Sequence, residues 1–347
     1  MNHIERVVAA LNHKEPDRVP VYPVMSGCNR RLVNADYPTW STDADVCAQS
    51  FIKCAEQFDV DTLVTLIDLS VECDAWGQEI VYPADEAAHP NFQNHVINDI
   101  EDYEKIKKVD YRQSKRMMMS LEVNRQVVQA MKGKMPVVAF VFGPLGTLSM
   151  LRNQEAMYMD LYDDPDAVKK ACRAVTDTLK DSVNALIDVG VDAIMYDTLF
   201  ASGSIMSKDM WREMEFEFVQ ELAEMTHERG CMVMIHNCGG KIYFDAQIEA
   251  MHPEAISFLY PPDDCKDFKE CKEKYGHLTT LIGAVTPADA VLGTDEEWDD
   301  ECKRMIDDMK KDGGFMLATG CEYPANAPFD RAYHMIDIAK TYGQYKK

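Results

Sequence analysis

Residues 164–198 read DPDAVKKACRAVTDTLKDSVNALIDVGVDAIMYDT. Asp164 ahead of Pro165 is a helix N-cap followed by proline at the first helical position. An amphipathic pattern then runs to Val189, and Gly190 stands just past its end, where a glycine closes helices well. A short, mostly apolar run at 191–196 comes next, and after it the carboxylate Asp197. Helix, glycine, buried strand and polar strand end make up the repeating unit of a parallel sheet covered on both faces.

Outward from that stretch the unit recurs. Short β-branched or apolar runs lie at 19–23, 62–67, 136–142, 231–235, 255–258, 278–282 and 315–319. A helix is expected over 207–228, opened by Ser207 and stopped by Gly230, and another over 295–311, stopped by Gly313. With 191–196 the runs number eight, and they predict a single (β/α)8 TIM barrel, one domain over 1–347 with an N-terminal helical extension. The segment 78–97 breaks the rhythm. Its runs at 79–83 and 95–97 read as a small antiparallel excursion on the barrel rim.

Composition bounds the function. The formal net charge is −23, from 36 Lys+Arg against 59 Asp+Glu. Such a field repels nucleic-acid phosphates and anionic lipid, so neither is expected as a partner. The longest apolar runs are about seven residues, far short of the ~20 of a membrane helix. The first residues carry charge early and hold no signal-peptide core, so a cytoplasmic protein is expected. Eleven cysteines, an odd number without a secretory signal, read mainly as buried thiols rather than a disulfide framework. The 22 methionines read as adaptable core filler. There is no strand-linked GxGxxG, no phosphate-binding Gly-Lys-Ser/Thr and no GxSxG. That disfavours dinucleotide enzymes, P-loop NTPases and serine hydrolases.

In such a barrel, chemistry gathers at the C-terminal ends of the strands. Asp68 and then Glu72 follow the second run, Asp197 the fourth, His236 and Cys238 the fifth, and Cys321 and Glu322 the eighth. The sharpest item is Ile235-His236-Asn237-Cys238-Gly239-Gly240. Strand alternation puts His236 and Cys238 on one side, where an imidazole and a thiolate can converge on a metal. A third ligand must come from elsewhere, and Cys321 is the best placed. His plus two Cys is a catalytic zinc set that leaves one position open. Asp197 reads either as a turn or capping carboxylate, or as a general base, substrate anchor or ligand-orienting group. Glu72 reads either as a solvated rim carboxylate or as a group with a similar role.

At this point the residues resemble a known family. Asn12-His13-Lys14-Glu15-Pro16-Asp17-Arg18-Val19-Pro20-Val21 is similar to the N-terminal signature of the uroporphyrinogen decarboxylase superfamily, and the likeness runs over nearly the whole chain. Within it the chain looks like the zinc-dependent, corrinoid-linked methyltransferase branch. His236-Asn237-Cys238-Gly239 and Gly320-Cys321-Glu322-Tyr323-Pro324 match the two motifs that supply zinc ligands there. The resemblance implies His236, Cys238 and Cys321 as ligands of Zn2+. The decarboxylases carry an Arg-Gln-Ala-Gly-Arg stretch after the first strand. Here the region reads Met25-Ser26-Gly27-Cys28-Asn29-Arg30-Arg31, which counts against decarboxylation. Cobalamin-independent methionine synthases, which resemble this zinc motif, place a ligand glutamate after strand six. Here that end is Phe258-Leu259-Tyr260-Pro261, leaving the fourth position to Asp263, Tyr260, a water or the substrate.

The implied activity moves a methyl group between a corrinoid (cobalamin) protein and a zinc-activated small substrate, with a thiol acceptor favoured. One alternative is the methyltransferase component of an O-demethylase, taking methyl from a methoxylated aromatic. A further alternative is a decarboxylase. Asp197, Glu72 and Tyr260 are the catalytic candidates. The chain shows no Asp-x-His-x-x-Gly motif, so corrinoid is expected as a co-substrate on a separate partner protein docking over the barrel mouth. The sequence sets no oligomeric state.

Overall fold

Residues 1–345 are described by a computed structural model. Eight parallel strands form the barrel wall: β1 (Val21–Tyr22), β2 (Leu63–Val64), β3 (Val137–Phe142), β4 (Ala193–Asp197), β5 (Met232–Asn237), β6 (Ala255–Phe258), β7 (Thr280–Val285) and β8 (Phe315–Thr319). Hydrogen-bonded neighbours run β1-β8-β7-β6-β5-β4-β3-β2, all parallel. The (β/α)8 TIM barrel read from the repeating unit is the observed fold.

The ladder is open between β1 and β2, the two shortest barrel strands. One buried carboxylate bridges that seam. Asp61, fully buried, accepts from the Val21 backbone N–H at 2.8 Å, while its own N–H donates to the Val21 carbonyl at 2.9 Å. One strand end up, the Tyr22 hydroxyl accepts from the Val64 N–H at 3.2 Å. The same carboxylate accepts from Arg6 and Arg18, each at 2.7 Å, and pairs with His3 at 3.0 Å. His3 and Arg6 belong to the N-terminal helix His3–Leu11, so the seam and the helix that plugs the barrel floor share one anchor.

Two apolar layers follow from strand alternation. Val64, Val138, Ala193, Met195, Met234, Ala255, Ile282 and Met316 belong to an inner cluster with Val7 and Ala10 of the plugging helix. Their neighbours along each strand, such as Val137, Ile194, Val233, Ile256 and Leu281, face the surrounding helices in the larger cluster.

The helix after Asp164 spans Pro165–Asp188, with the Asp164 side chain accepting from the Ala167 N–H and Gly190 at φ +94°. The helix expected over 207–228 is two, Lys208–Met214 and Phe216–Glu228. Glu215 divides them. Its buried carboxylate accepts from the Trp211 indole N–H at 2.8 Å within the first helix and from the Leu145 N–H at 2.9 Å, a contact to another element that periodicity does not reveal. The excursion at 78–97 is present, but its pairing differs from expectation. Ile80–Val81 pairs antiparallel with His89–Pro90, while Ile97 bridges to Arg152 instead. The Gln78 side chain sets this arrangement, accepting from the Val96 N–H at 3.0 Å and donating to the Asn94 carbonyl at 3.0 Å. All eleven cysteines are free. Among the described residues no helix is long and apolar enough to cross a membrane.

Burial alone would raise the Asp61 carboxyl. The hydrogen bond with His3 and the Arg18 guanidinium outweigh it and hold the group below the ordinary carboxylate range. Its stabilising share is therefore complete above about pH 4 and lost as pH falls through the lowered value. Asp61→Ala strands the buried Arg18 guanidinium, while Arg6 keeps its pair with Asp17 at 2.7 Å, and is expected to cost about 3–5 kcal/mol in urea unfolding at pH 7. The difference from the unsubstituted protein should shrink in acid.

Candidate active site

His236 and Asp197 face each other across the β4–β5 ladder as direct register partners. Cys238 follows one residue past the end of β5, and Cys321 two residues past the end of β8. The turn after β5 is fixed by Asn237. Its side chain donates to the Thr198 and Ala201 carbonyls at 2.8 and 3.3 Å and accepts from the Gly239 N–H at 2.9 Å. Gly239 has no alternative here, because a Cβ would lie 2.4 Å from the Ser202 hydroxyl. Gly320, ahead of Cys321, is equally confined, with Leu259 atoms 2.5 Å from where a Cβ would stand. Both motifs therefore carry their glycines for close approach of backbone to a neighbouring strand end.

These turns bring His236, Cys238 and Cys321 together, one ligand atom from each lying within 4.8 Å of the others. Among the described residues it is the one group of three or more His, Cys, Asp or Glu so arranged, and no fourth such residue joins it. Ser257, the register partner of His236 on β6, holds its Nδ1 at 3.0 Å. That bond sets the ring and leaves Nε2 as the free nitrogen. Hydrogen bonding from Cys238, then His236 beside it, pulls the Cys321 thiol down, and Cys238 is pushed up by the same contact. Burial opposes a charge on His236, but the hydrogen bond to Cys321, its charge and that of Asp197 outweigh it and raise the imidazole. A paired thiolate, a second thiol and an oriented imidazole are the donor set of a three-ligand zinc site with one open position, so the residues fit that metal.

The group opens into a cavity of about 470 Å3. Its walls include Leu66, Leu69, Phe140, Met150 and Leu199, and the rim excursion closes one side with Ala87, Ala88 and Phe92. The Phe92 and His89 rings stack at 4.8 Å. No lysine or arginine is among the lining residues. The carboxylates present are Asp68, Glu86, Asp197 and Glu322. Asp68 is held from behind by a buried bidentate pair with Arg116, at 2.6 and 2.9 Å. Burial pushes Asp197 up to about 7 against the opposing pull of His236. Burial likewise pushes Glu322 up to about 7, although its Oε1 accepts from the Gly27 N–H at 2.9 Å.

Of the remaining sequence candidates, Asp197 lines this cavity and two do not. Glu72 is buried behind the β3 wall, its Oε1 accepting from the Phe142 N–H at 3.2 Å and its Oε2 without a partner. Tyr260 is half exposed and outside the lining. Asp263 forms an ion pair with Lys208 at 3.1 Å and is not in the ligand group. Ser257 and Phe140, whose ring lies 6.4 Å from that of His236, carried no sequence signal of their own. The parallel register that places Ser257 beside His236 is the only pointer to it.

A family model described as uroporphyrinogen decarboxylase (URO-D) matches residues 2–342, so the chain belongs to the uroporphyrinogen decarboxylase family. Among curated proteins it is similar to the methylcobamide:CoM methyltransferase MtbA of Methanosarcina acetivorans, 21% identical over 344 residues and 97% of each chain. MtaA of Methanosarcina barkeri, with the same printed activity, is 24% identical over 348 residues, again 97% of each. The uroporphyrinogen decarboxylase of Ruthia magnifica is 19% identical over 332 residues, 90% of this chain and 91% of that one. Among solved structures, a methyltransferase from Methanosarcina mazei superposes with a TM-score of 0.83 at 21% identity, covering 99% of both chains.

Glu72 offers a test of this packing. Burial pushes its carboxyl from an ordinary 4.5 up to about 8. The folded chain keeps that proton where the unfolded chain releases it, so the stability it confers is present below pH 4.5 and lost as pH rises toward 8. Urea midpoints at pH 5.5 and 8.5 should fall less in Glu72→Gln than in the unsubstituted protein.

Proposed function

We propose that this chain is a zinc-dependent methyltransferase that moves a methyl group between a corrinoid carried by a separate protein and a small substrate bound in the barrel mouth. The observation that carries this reading is the convergence of His236, Cys238 and Cys321 on one point at the wall of the cavity in the barrel mouth. The two curated methylcobamide:CoM methyltransferases, matched over 97% of their length, support the reaction class.

His236, Cys238 and Cys321 would hold the metal, which when bound supplies Lewis acidity that keeps a substrate sulfur or oxygen in its anionic form near neutral pH. Ser257 fixes the imidazole so that the donor geometry is set before substrate arrives. Asp197, on the neighbouring strand end and raised toward neutrality, can take a proton from a substrate heteroatom or return one. Apolar walls exclude water from the reacting atoms, and the rim excursion limits the opening through which a corrinoid partner would approach.

The substrate has two readings. A thiol acceptor suits the donor set, since coordination yields the thiolate needed to attack a methyl group. A methoxylated aromatic donor suits the walls. They are largely apolar, carry the aromatic rings of Phe92 and Phe140, and present no cation to an anionic substrate. Decarboxylation of a polycarboxylate fits less well. Arg30 donates to the Gly27 and Ala325 carbonyls and the Asn326 side chain, and Arg31 to the Ala327 carbonyl. Neither faces the cavity.

Purified protein is expected to carry one zinc per chain by atomic emission, lost or weakened in Cys238→Ala and Cys321→Ala. Methyl transfer from methylcobalamin to a panel of thiols should fall with it. Zinc without thiol methylation, but with transfer from an aryl methyl ether to reduced cobalamin, selects the second substrate reading. Protein that folds and purifies free of zinc, and stays so after zinc is offered, would falsify the metal assignment. Ser257→Ala should keep the fold and weaken zinc binding by about 10–100-fold in a chelator competition.

A further inference from the structure

A second, largely apolar cavity lies at the opposite end of the barrel, between the plugging helix and the strand beginnings, and opens to solvent past Val8, Lys132 and Gly133. It measures about 340 Å3. Val7 and Leu11 of the helix face it from below, and Met195, Met234, Ile282 and Met316 of the strands from above. These strand residues are buried at 4% exposure or less, so the inner end of the cavity reaches into the barrel interior. Barrel interiors of this fold are normally filled by layers of branched side chains. Here alanines at 193, 255 and 318 and flexible thioethers stand in those layers, and the filling is incomplete.

The polar groups on its wall are already satisfied. The Tyr22 hydroxyl accepts from the Val64 N–H, Thr62 donates to the Pro136 carbonyl at 3.1 Å, and Asp192 accepts from the Val137 N–H at 2.8 Å. Lys132 reaches the rim with its side chain toward solvent. Among the described residues, none of the buried side-chain atoms lacking a partner lies in this lining. At the inner end, where the wall is apolar, a charged or strongly polar guest would find few free partners, and so would water. An engineered apolar cavity of about 150 Å3 in another protein stays dry and takes up benzene. This one is larger, falls in the size range of ligand pockets, and is walled by methionines, which reshape around a guest at low cost.

We propose that the cavity beneath the barrel is a binding site for a small, uncharged, apolar molecule of aromatic-ring size, separate from the mouth that holds His236, Cys238 and Cys321. Alternation along the strands places Met195 two residues below Asp197 and Met234 two residues below His236. An occupant therefore sits directly under the layer that carries the metal-binding imidazole. The proposal does not depend on the activity at the mouth.

Toluene is the probe. The chain is labelled with 13C in the methionine methyls, and signals are assigned by single Met→Leu substitutions at 150, 195, 234 and 316. Saturable shifts at Met195, Met234 and Met316 are expected, lost at Met195 and Met234 in Met316→Phe whether or not Met150 in the mouth also responds. Met316→Phe, which fills the space, should weaken toluene affinity at least tenfold. No saturable shift at the three buried methyls, or a response at Met150 alone, overturns the proposal. So does unchanged affinity in a folded Met316→Phe. Should that variant fail to fold, the methyl map of the unsubstituted chain still decides.

Discussion

The Asp61 carboxylate holds the barrel shut. A parallel barrel needs eight strands in one closed register, yet β1 and β2 are two residues each and share no ladder. A side chain supplies what the ladder lacks, accepting from the Val21 backbone while Arg6, Arg18 and His3 neutralise it from the floor. A buried carboxylate without those partners would be costly, and the buried Arg18 without the carboxylate equally so. The N-terminal helix, the first strand and the second strand are thus interdependent. Every residue at the far end of the barrel takes its position from strands whose closure rests on this cluster.

Closure matters because the candidate site is built from opposite parts of the chain. His236 and Cys238 come with β5, while Cys321 follows β8. Within β5 and its neighbours the register is local and strong: Asp197, His236 and Ser257 lie side by side across three strands. Cys321 reaches the same point only because the wall curves round. Gly239 and Gly320 then permit the two turns to approach strands that a Cβ would strike. Paired thiols and an imidazole held by a hydroxyl make a soft donor set with an open side.

The same family contains decarboxylases and methyltransferases matched at similar identity, so the scaffold does not decide the chemistry. The mouth does. Arg30 and Arg31 are turned into loop groups away from it, Asp197 and Glu322 on its wall are buried and raised toward neutrality, and its walls are largely apolar. Such a pocket sets the His236, Cys238 and Cys321 group beside a largely apolar wall that carries no lysine or arginine. The contrast between this reactive upper cavity and the polar-satisfied lower one follows from strand ends against strand beginnings.

The barrel was legible in the sequence because each unit signals itself locally. Asp164-Pro165, the amphipathic run and Gly190 are all within one helix, and an apolar strand needs only its own residues to be recognised. His236, Cys238 and Cys321 were legible for a related reason, since both motifs sit at strand ends that the fold class converts into one rim. Tertiary structure alone decided the rest. Glu215 splits a periodic helix through bonds to Leu145 and Trp211. Within the rim excursion Ile80–Val81 pairs with His89–Pro90 while Gln78 reaches across to Asn94 and Val96. Glu72 stands behind the wall rather than in the mouth, and Ser257 orients the imidazole. Each depends on a side chain meeting a group distant in sequence. Periodicity reports which face of an element is apolar; it holds no record of which polar partner waits across the interface.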